Sequence, residues 1–173
     1  MGIALYDLSV ASYLQGIGGV AGVLEKGAKY CAENNIDPNT LVEARIHADM
    51  LPLQFQVQSV VHHSIGAIDG LKKGLATPPP SIPAQDYKGL QKMVTDARDA
   101  LTKLSAAEVN ALEGRDMVFH LRDFKIPFTT EGFVMSFSLP NFYFHATTAY
   151  DILRMKGVPL GKRDFLGQMR MKV

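Results

Sequence analysis

The segment Asn141–Arg154, which reads NFYFHATTAYDILR, decides the fold that we predict for this chain of 173 residues. Its apolar residues recur at gaps of four and three positions, the spacing that places them on one face of a helix. These residues are Phe142, Ala146, Ala149 and Leu153. His145 stands beside them, so packing of this helix against others would carry one imidazole towards the core. Burial of an unpaired imidazole is unfavourable, and His145 is therefore the first candidate for a functional site.

Three earlier segments show the same alternation of gaps and are predicted to be long helices. They span residues 10–31, 53–71 and 87–104. A cap at Asp7 or Ser9 precedes the first, and Asp49 resembles the N-cap of the second. The fourth helix is the one that carries His145, and Pro140 is expected to kink or restart it.

Four glycines interrupt the first of these helices. They are Gly16, Gly18, Gly19 and Gly22. An interior glycine weakens a helix by roughly 1 kcal/mol relative to alanine, so we expect a neighbouring helix to approach closely there. A phosphate-binding loop is a poor interpretation, because no predicted strand precedes the glycines.

The rest of the chain predicts a short hairpin and irregular connections. Alternating apolar residues over 117–128 predict two strands that turn at Arg122–Asp123. The proline-rich stretch Thr77–Pro83 is predicted to be a stiff connector, and the tail from Val158 to Val173 to be irregular. We therefore predict an all-α fold: one domain over residues 1–173, an up-down four-helix bundle with a small β-hairpin inserted before the last helix.

Composition argues against several classes of function. Basic and acidic residues nearly balance at a net charge of +1, and the scattered lysines and arginines form no footprint for nucleic acid. No apolar stretch is long enough to span a membrane, and no signal peptide is visible at the N-terminus. The single cysteine, Cys31, suits a reducing compartment. We expect a cytoplasmic protein that binds neither nucleic acid nor membranes.

A polar pocket is the first prediction for the site. Gln56 lies at the edge of the apolar face of the second helix, and a buried amide needs hydrogen-bond partners. His145 or Tyr150 could supply one. We predict a ligand pocket formed by Asp49, Gln56, His145 and Tyr150. For Asp49, a helix cap is the alternative role.

A metal site is the alternative prediction. None of the five histidines forms a His-x-x-x-His pair, in which two imidazoles on one helix face could hold an ion. His62 and His63 are adjacent and point about 100° apart on a helix, so only one of them can face the core. A site for a divalent metal such as zinc or nickel would therefore need His145, His63 and Asp49 together.

Four stretches of the chain carry a resemblance to a known family. They are LYD at 5–7, DMLPL at 49–53 with QVQ at 56–58, LPNFYFH at 139–145 with TTAY at 147–150, and GKRDFLG at 161–167. Over nearly its full length the chain resembles a bacterial family known as a domain of unknown function. That family is similar to the DinB/YfiT-like superfamily, many members of which bind a divalent metal.

The resemblance implies a four-helix bundle, often a homodimer. In the superfamily, one histidine on the second helix and a His-x-x-x-His pair on the last helix hold the metal. These positions correspond to Gln56, His145 and Ala149 in this chain, so one ligand of three remains. The resemblance therefore implies a degenerate metal pocket that binds a small ligand, and it assigns no cofactor.

Two other functions remain open. Some members of the superfamily are thiol-dependent transferases, so one alternative is a metal-dependent hydrolase or thiol transferase with an unusual metal site. The other is a non-enzymatic dimeric interaction scaffold, in which His145 would be a core residue bonded to a backbone carbonyl.

Overall fold

The computed structural model describes residues 2–172, and it is predominantly helical with a small three-stranded sheet. The helices are α1 (Leu5–Leu8), α2 (Val10–Glu33), α3 (Leu53–Val61), α4 (Ala67–Lys73), α5 (Tyr87–Thr102), α6 (Ala106–Asn110), α7 (Thr130–Phe133), α8 (Leu139–Met155) and α9 (Lys162–Leu166). The strands are β1 (Leu75–Ala76), β2 (Asp116–Leu121) and β3 (Phe124–Thr129). A 3₁₀ turn covers Pro38–Leu41, and π-helical turns cover His62–Gly66 and Val134–Ser138.

Helices α2, α3, α5 and α8 enclose the hydrophobic core. Helix α3 packs against α5 and α8, and α2 packs against the same two helices. The apolar face predicted for α8 is confirmed, since none of its members is more than 2% exposed: Phe142, Ala146, Ala149 and Leu153. These helices form where the apolar spacing predicts them, because burial of such a face is the main source of helix stability in a folded chain.

The glycines of α2 confirm the predicted close approach at two positions of four. A Cβ atom on Gly16 would lie 2.4 Å from the ring of Phe142 in α8, and one on Gly19 would lie 2.4 Å from the carbonyl oxygen of Phe165 in α9. Gly18 has open space around it, as has Gly22. Two helices thus approach α2 only because these two positions lack side chains.

The sheet requires a correction to the all-α prediction. The hairpin is confirmed, with β2 antiparallel to β3 and Arg122 in the left-handed region at φ 54°. The sequence did not predict β1, which pairs in parallel with β2 and sets Leu75 opposite Val118. A strand of two residues is too short to show alternation. It forms because Gly74, at φ 67°, ends α4 and turns the chain onto the sheet edge.

Asp49 does not cap α3, contrary to the prediction. Pro52 occupies the N-cap position in an extended conformation, and no side chain caps this helix. The carboxylate of Asp49 is exposed and lies 2.5 Å from Nδ1 of His47. An acidic residue three positions too early cannot reach the first free amides of a helix.

The tail is not wholly irregular, because α9 packs against α2. The carboxylate of Asp164 accepts hydrogen bonds from the backbone of Gly161 at 2.8 Å and from Nζ of Lys26 at 2.6 Å. A helix of five residues is too short for its periodicity to be recognised. Val173, the last residue of the predicted irregular tail, lies outside the described residues.

Two long helical segments each contain a π-helical turn. Residues 53–73 run as α3, a π-helical turn and α4, and residues 130–155 run as α7, a π-helical turn and α8. The predicted restart at Pro140 is confirmed, since this proline lies in the first turn of α8, where its missing N–H is tolerated. Within residues 2–172, no helix combines the length and the apolar character that a membrane crossing requires.

Candidate functional site

Gln56 and the half-buried His145 contact each other directly. Gln56 lies on α3 and is 2% exposed, and its Oε1 atom is 2.7 Å from Nδ1 of His145 on α8. The packing of α3 against α8 brings these two residues together although 89 positions separate them. His145 is thus one of the two partners that the sequence suggested for the Gln56 amide.

A second hydrogen bond fixes the roles of both side chains. Nε2 of Gln56 donates to the backbone carbonyl of Leu51 at 2.7 Å, and a carbonyl can only accept. Oε1 of Gln56 therefore accepts from His145, whose Nδ1 carries the hydrogen. Burial lowers the pKa of His145 to about 4, so the ring is neutral at pH 7. Nε2 of His145 is left with a free lone pair.

His63 lies beside His145. The two rings are parallel within 7°, with centroids 5.9 Å apart, and the His63 side chain is buried. Burial, with smaller contributions from His62 and His145, lowers the pKa of His63 to about 3. Among residues 2–172 no group bonds to its ring nitrogens, yet neither nitrogen is sealed from solvent. His63 is therefore a neutral imidazole with an accessible lone pair.

A chain of buried hydrogen bonds holds the π-helical turn that carries His63. The Ser138 hydroxyl donates to the backbone carbonyl of His63 at 2.8 Å, and the Tyr13 hydroxyl donates to Oγ of Ser138 at 2.8 Å. Tyr13 and Ser138 are both fully buried. Ser138 belongs to the second π-helical turn, so the two wide turns bond to each other and fix the backbone position of His63.

His62 completes a row of three imidazoles. Its ring centroid is 5.2 Å from that of His63, and its Nε2 atom donates to the carbonyl of Thr77 at 2.8 Å. Burial lowers the pKa of His62, although the bond to Thr77 opposes the shift. In the neutral ring Nδ1 is therefore the unprotonated nitrogen.

A cleft of about 210 Å³ opens beside His62 and His63. We call it the imidazole cleft. Its aromatic lining comes from the sheet and from the helical segment that precedes α8: Phe119, Phe133 and Phe137. Neither Gln56 nor His145 lines this cleft. His63 is the residue that reaches both, since it lines the cleft and packs against His145.

The other two residues of the predicted pocket lie elsewhere. Asp49 is exposed and pairs with His47. The ring of Tyr150 packs edge-on against Phe165 of α9, with centroids 6.1 Å apart. Of the four residues predicted for the pocket, the structure brings only Gln56 and His145 together.

The donor set does not fit the metal site that the resemblance implies. Within residues 2–172, no three or more His, Cys, Asp or Glu side chains are grouped to hold a metal ion, so His145, His63 and Asp49 are not assembled. The side chain at the position of the second-helix ligand is Gln56, whose amide oxygen already accepts the Nδ1 hydrogen of His145. Ala149, at the third position, carries no donor.

The amino-acid pattern did not predict the imidazole cleft or the π-helical turns. Patterns for helices assume 3.6 residues per turn, and they cannot register a wider turn at His62–Gly66. Such turns occur frequently at functional sites. The available signal was the pair of adjacent histidines followed by Gly66, a composition that is unusual within an apolar helical face.

Comparison with known proteins identifies the fold and the family. The structure is similar to the 1.83 Å crystal structure of a DinB family member protein from Shewanella denitrificans, with a TM-score of 0.78 and 25% sequence identity. The likeness covers 98% of this chain and 95% of that chain. No functionally curated protein is significantly similar to this sequence. The profile of the family described as a domain of unknown function, DUF1993, matches residues 5–166. The resemblance found in the sequence is thus confirmed, and the chain belongs to the DUF1993 family.

Proposed function

We propose that this chain is a small-ligand-binding protein, a DinB-like up-down four-helix bundle in which a hydrogen-bonded Gln56–His145 pair takes the place of the ancestral metal and the ligand binds in the neighbouring imidazole cleft. The hydrogen bond between Gln56 and His145 carries the proposal. At the position that the resemblance assigns to a metal-binding histidine, an amide binds the remaining histidine instead of an ion.

The protonation of His145 supports this assignment. A metal-bound histidine commonly donates its second N–H to a carbonyl or carboxylate acceptor, and His145 makes such a bond to Oε1 of Gln56. Gln56, however, occupies the position of the ligand from the second helix, and Ala149 supplies no further ligand. His145 is therefore assigned as a neutral hydrogen-bonding residue that positions its neighbour His63.

The imidazole cleft is the proposed ligand site. A ligand there would contact His62 and His63, two neutral imidazoles whose lone pairs accept hydrogen bonds. Gln56 and His145 would act indirectly, since His145 packs against the ring of His63. Small-molecule sites commonly combine aromatic side chains with placed polar groups, and this cleft has three phenylalanines beside the two imidazoles.

Metal analysis of protein prepared without an affinity tag tests the proposal. We expect no stoichiometric metal in the purified protein, and no binding of Zn²⁺ or Ni²⁺ in calorimetric titrations at pH 7.

The double substitution Gln56→His with Ala149→His restores all three superfamily ligands and should create binding of one ion per chain. Because Ala149 is 2% exposed, its enlargement costs about 1–3 kcal/mol, so the fold is checked by circular dichroism and Gln56→His alone serves as the milder variant.

Stoichiometric metal in the wild-type protein would support the alternative function, a metal-dependent hydrolase or thiol transferase. One zinc or nickel ion per wild-type chain, lost on replacing His145 by Gln, would contradict the proposal. The replacement keeps a hydrogen-bond donor for Gln56, so loss of metal would then reflect a lost ligand and not a disrupted core.

A further inference from the structure

The imidazole cleft has a continuous aromatic wall. The rings of Phe119 and Phe137 lie with centroids 4.4 Å apart, those of Phe133 and Phe137 lie 5.4 Å apart, and His63 lies 5.8 Å from Phe137. All four residues line the cleft. A ligand with an aromatic ring can pack against this wall in offset or edge-to-face geometry.

The cleft also holds one hydrogen-bond acceptor whose identity is defined. Because Nε2 of His62 donates to Thr77, its Nδ1 atom is the acceptor in the neutral ring. Gly66 lines the same cleft, and a Cβ atom added there would lie 3.4 Å from this Nδ1. The absent side chain of Gly66 therefore leaves room beside the acceptor for the donor group of a ligand.

The charges at the cleft favour a neutral ligand. Asp69 and Lys73 both line it, and both are exposed. Within the described part of the chain neither forms an ion pair. Charges of opposite sign at one site largely cancel for a distant ion, so the cleft does not select an anion or a cation.

We infer that the imidazole cleft binds a small neutral aromatic hydrogen-bond donor, a phenol or an N–H heteroaromatic, whose ring packs on the phenylalanine wall and whose donor bonds to Nδ1 of His62. The volume of about 210 Å³ suits one substituted ring, since an apolar cavity of about 150 Å³ accommodates benzene. This inference rests on the proposed function and names the ligand class of its cleft.

Titration of the full chain with phenol and with toluene tests the inference. The two probes have rings of similar size, and only phenol can donate a hydrogen bond. We expect phenol to bind about fivefold more tightly, as one additional neutral hydrogen bond provides. Imidazole ¹⁵N NMR should show a shift of the His62 Nδ1 resonance with phenol and none with toluene.

Gly66→Ala is the decisive variant. Gly66 has ordinary helical angles, φ −62° and ψ −33°, so alanine fits the backbone and should not lower the unfolding temperature. The new methyl group would lie in van der Waals contact with Nδ1 of His62, in the space that the donor group of the ligand needs, and reduce phenol affinity to that of toluene. Gly22→Ala is the matched control, because this helical glycine has open space around it and the change should leave phenol binding unaltered.

The possible outcomes separate the inference from the proposed function. Equal affinities for phenol and toluene, or full phenol affinity in Gly66→Ala, would overturn the inference and leave a ligand cleft of purely apolar character. Absence of binding by either probe would overturn it as well. Stoichiometric metal in the titrations described above would instead overturn the proposed function.

Discussion

At the scale of single residues, Gln56 determines what His145 can do. The bond from Gln56 to the Leu51 carbonyl orients the amide, and the amide oxygen then selects the Nδ1–H form of the imidazole. A carboxylate at the same place would raise the pKa of His145, because an opposite charge favours the protonated ring. The neutral amide leaves burial as the dominant influence, and burial lowers the pKa to about 4.

The low pKa values of His63 and His145 predict that the protein loses stability in mild acid. In the unfolded chain both histidines titrate near 6.5, whereas in the folded chain their pKa values are about 3 and about 4. Between the folded-state pKa values and pH 6.5, the unfolded state binds more protons than the folded state. The free energy of unfolding therefore falls as the pH drops below 6.5. Above pH 6.5 neither histidine contributes to the pH dependence. One pKa unit corresponds to about 1.4 kcal/mol, and because solvent screening reduces the share of the part-buried His145, His63 should account for the larger part of the loss.

Urea denaturation between pH 4 and pH 7.5 measures this dependence. His145→Gln should flatten the profile, because glutamine does not titrate and still donates to Gln56. His47→Gln is the control for the loss of a surface histidine, since His47 is exposed and pairs with the exposed Asp49, and it should alter the profile less than His145→Gln does. A wild-type profile that is flat between pH 4.5 and pH 6.5 would contradict the neutral, buried state of the two imidazoles.

At the scale of elements, the two π-helical turns determine where His63 stands. Regular helical winding over His62–Gly66 would rotate His63 relative to α3 and remove its contact with His145. The Ser138 hydroxyl, itself bonded to Tyr13, donates a buried hydrogen bond to the backbone carbonyl of His63 in this turn. The sequence could predict that one of the adjacent histidines faces the core. It could not predict the turn itself, because one of the hydrogen bonds that hold it comes from Ser138, 75 positions away.

Ser138→Ala should disturb the site through the backbone. The change leaves the buried Tyr13 hydroxyl and the His63 carbonyl without their shared partner, which costs roughly 1–3 kcal/mol of unfolding free energy. The NMR resonances of the His63 ring should shift as well, since its backbone is no longer held. Denaturant titration and imidazole NMR measure the two effects.

Ser136→Ala is the matched control for this prediction. Ser136 lies in the same π-helical turn, but it is exposed and donates only to the carbonyl of Gly132. Its loss should change stability by less than about 0.5 kcal/mol. Tyr13→Phe combined with Ser138→Ala should cost less than the sum of the single changes. Strict additivity would show that the three groups do not act as one chain.

At the scale of the whole molecule, apolar spacing predicts the four long helices, because each buries one face against two others. The spacing does not predict β1 or α9, because segments of two and five residues are too short to show a repeat of apolar residues. The contact of Gln56 with His145 could be predicted, because both polar residues stand on apolar faces that must be buried. The placements of Asp49 and Tyr150 could not, as they depend on the loop before Pro52 and on the docking of α9.

This chain has a DinB-like helical framework, and we propose that it carries a different site. In the superfamily that the sequence resembles, three imidazoles converge on a metal. In this chain three imidazoles form a row, and two of them, His62 and His145, have their tautomers set by oxygen acceptors. Two members of this row, His62 and His63, line an aromatic cleft, which is why we propose ligand binding in place of metal chemistry.

Imidazole ¹⁵N NMR of the wild-type protein at pH 7, before and after one equivalent of Zn²⁺, tests the central claim most directly. The account predicts that His145 has a protonated Nδ1 and an unprotonated Nε2, and that zinc leaves both resonances unchanged. A proton on Nε2, or resonances of His145 and His63 that move together on adding zinc, would contradict it.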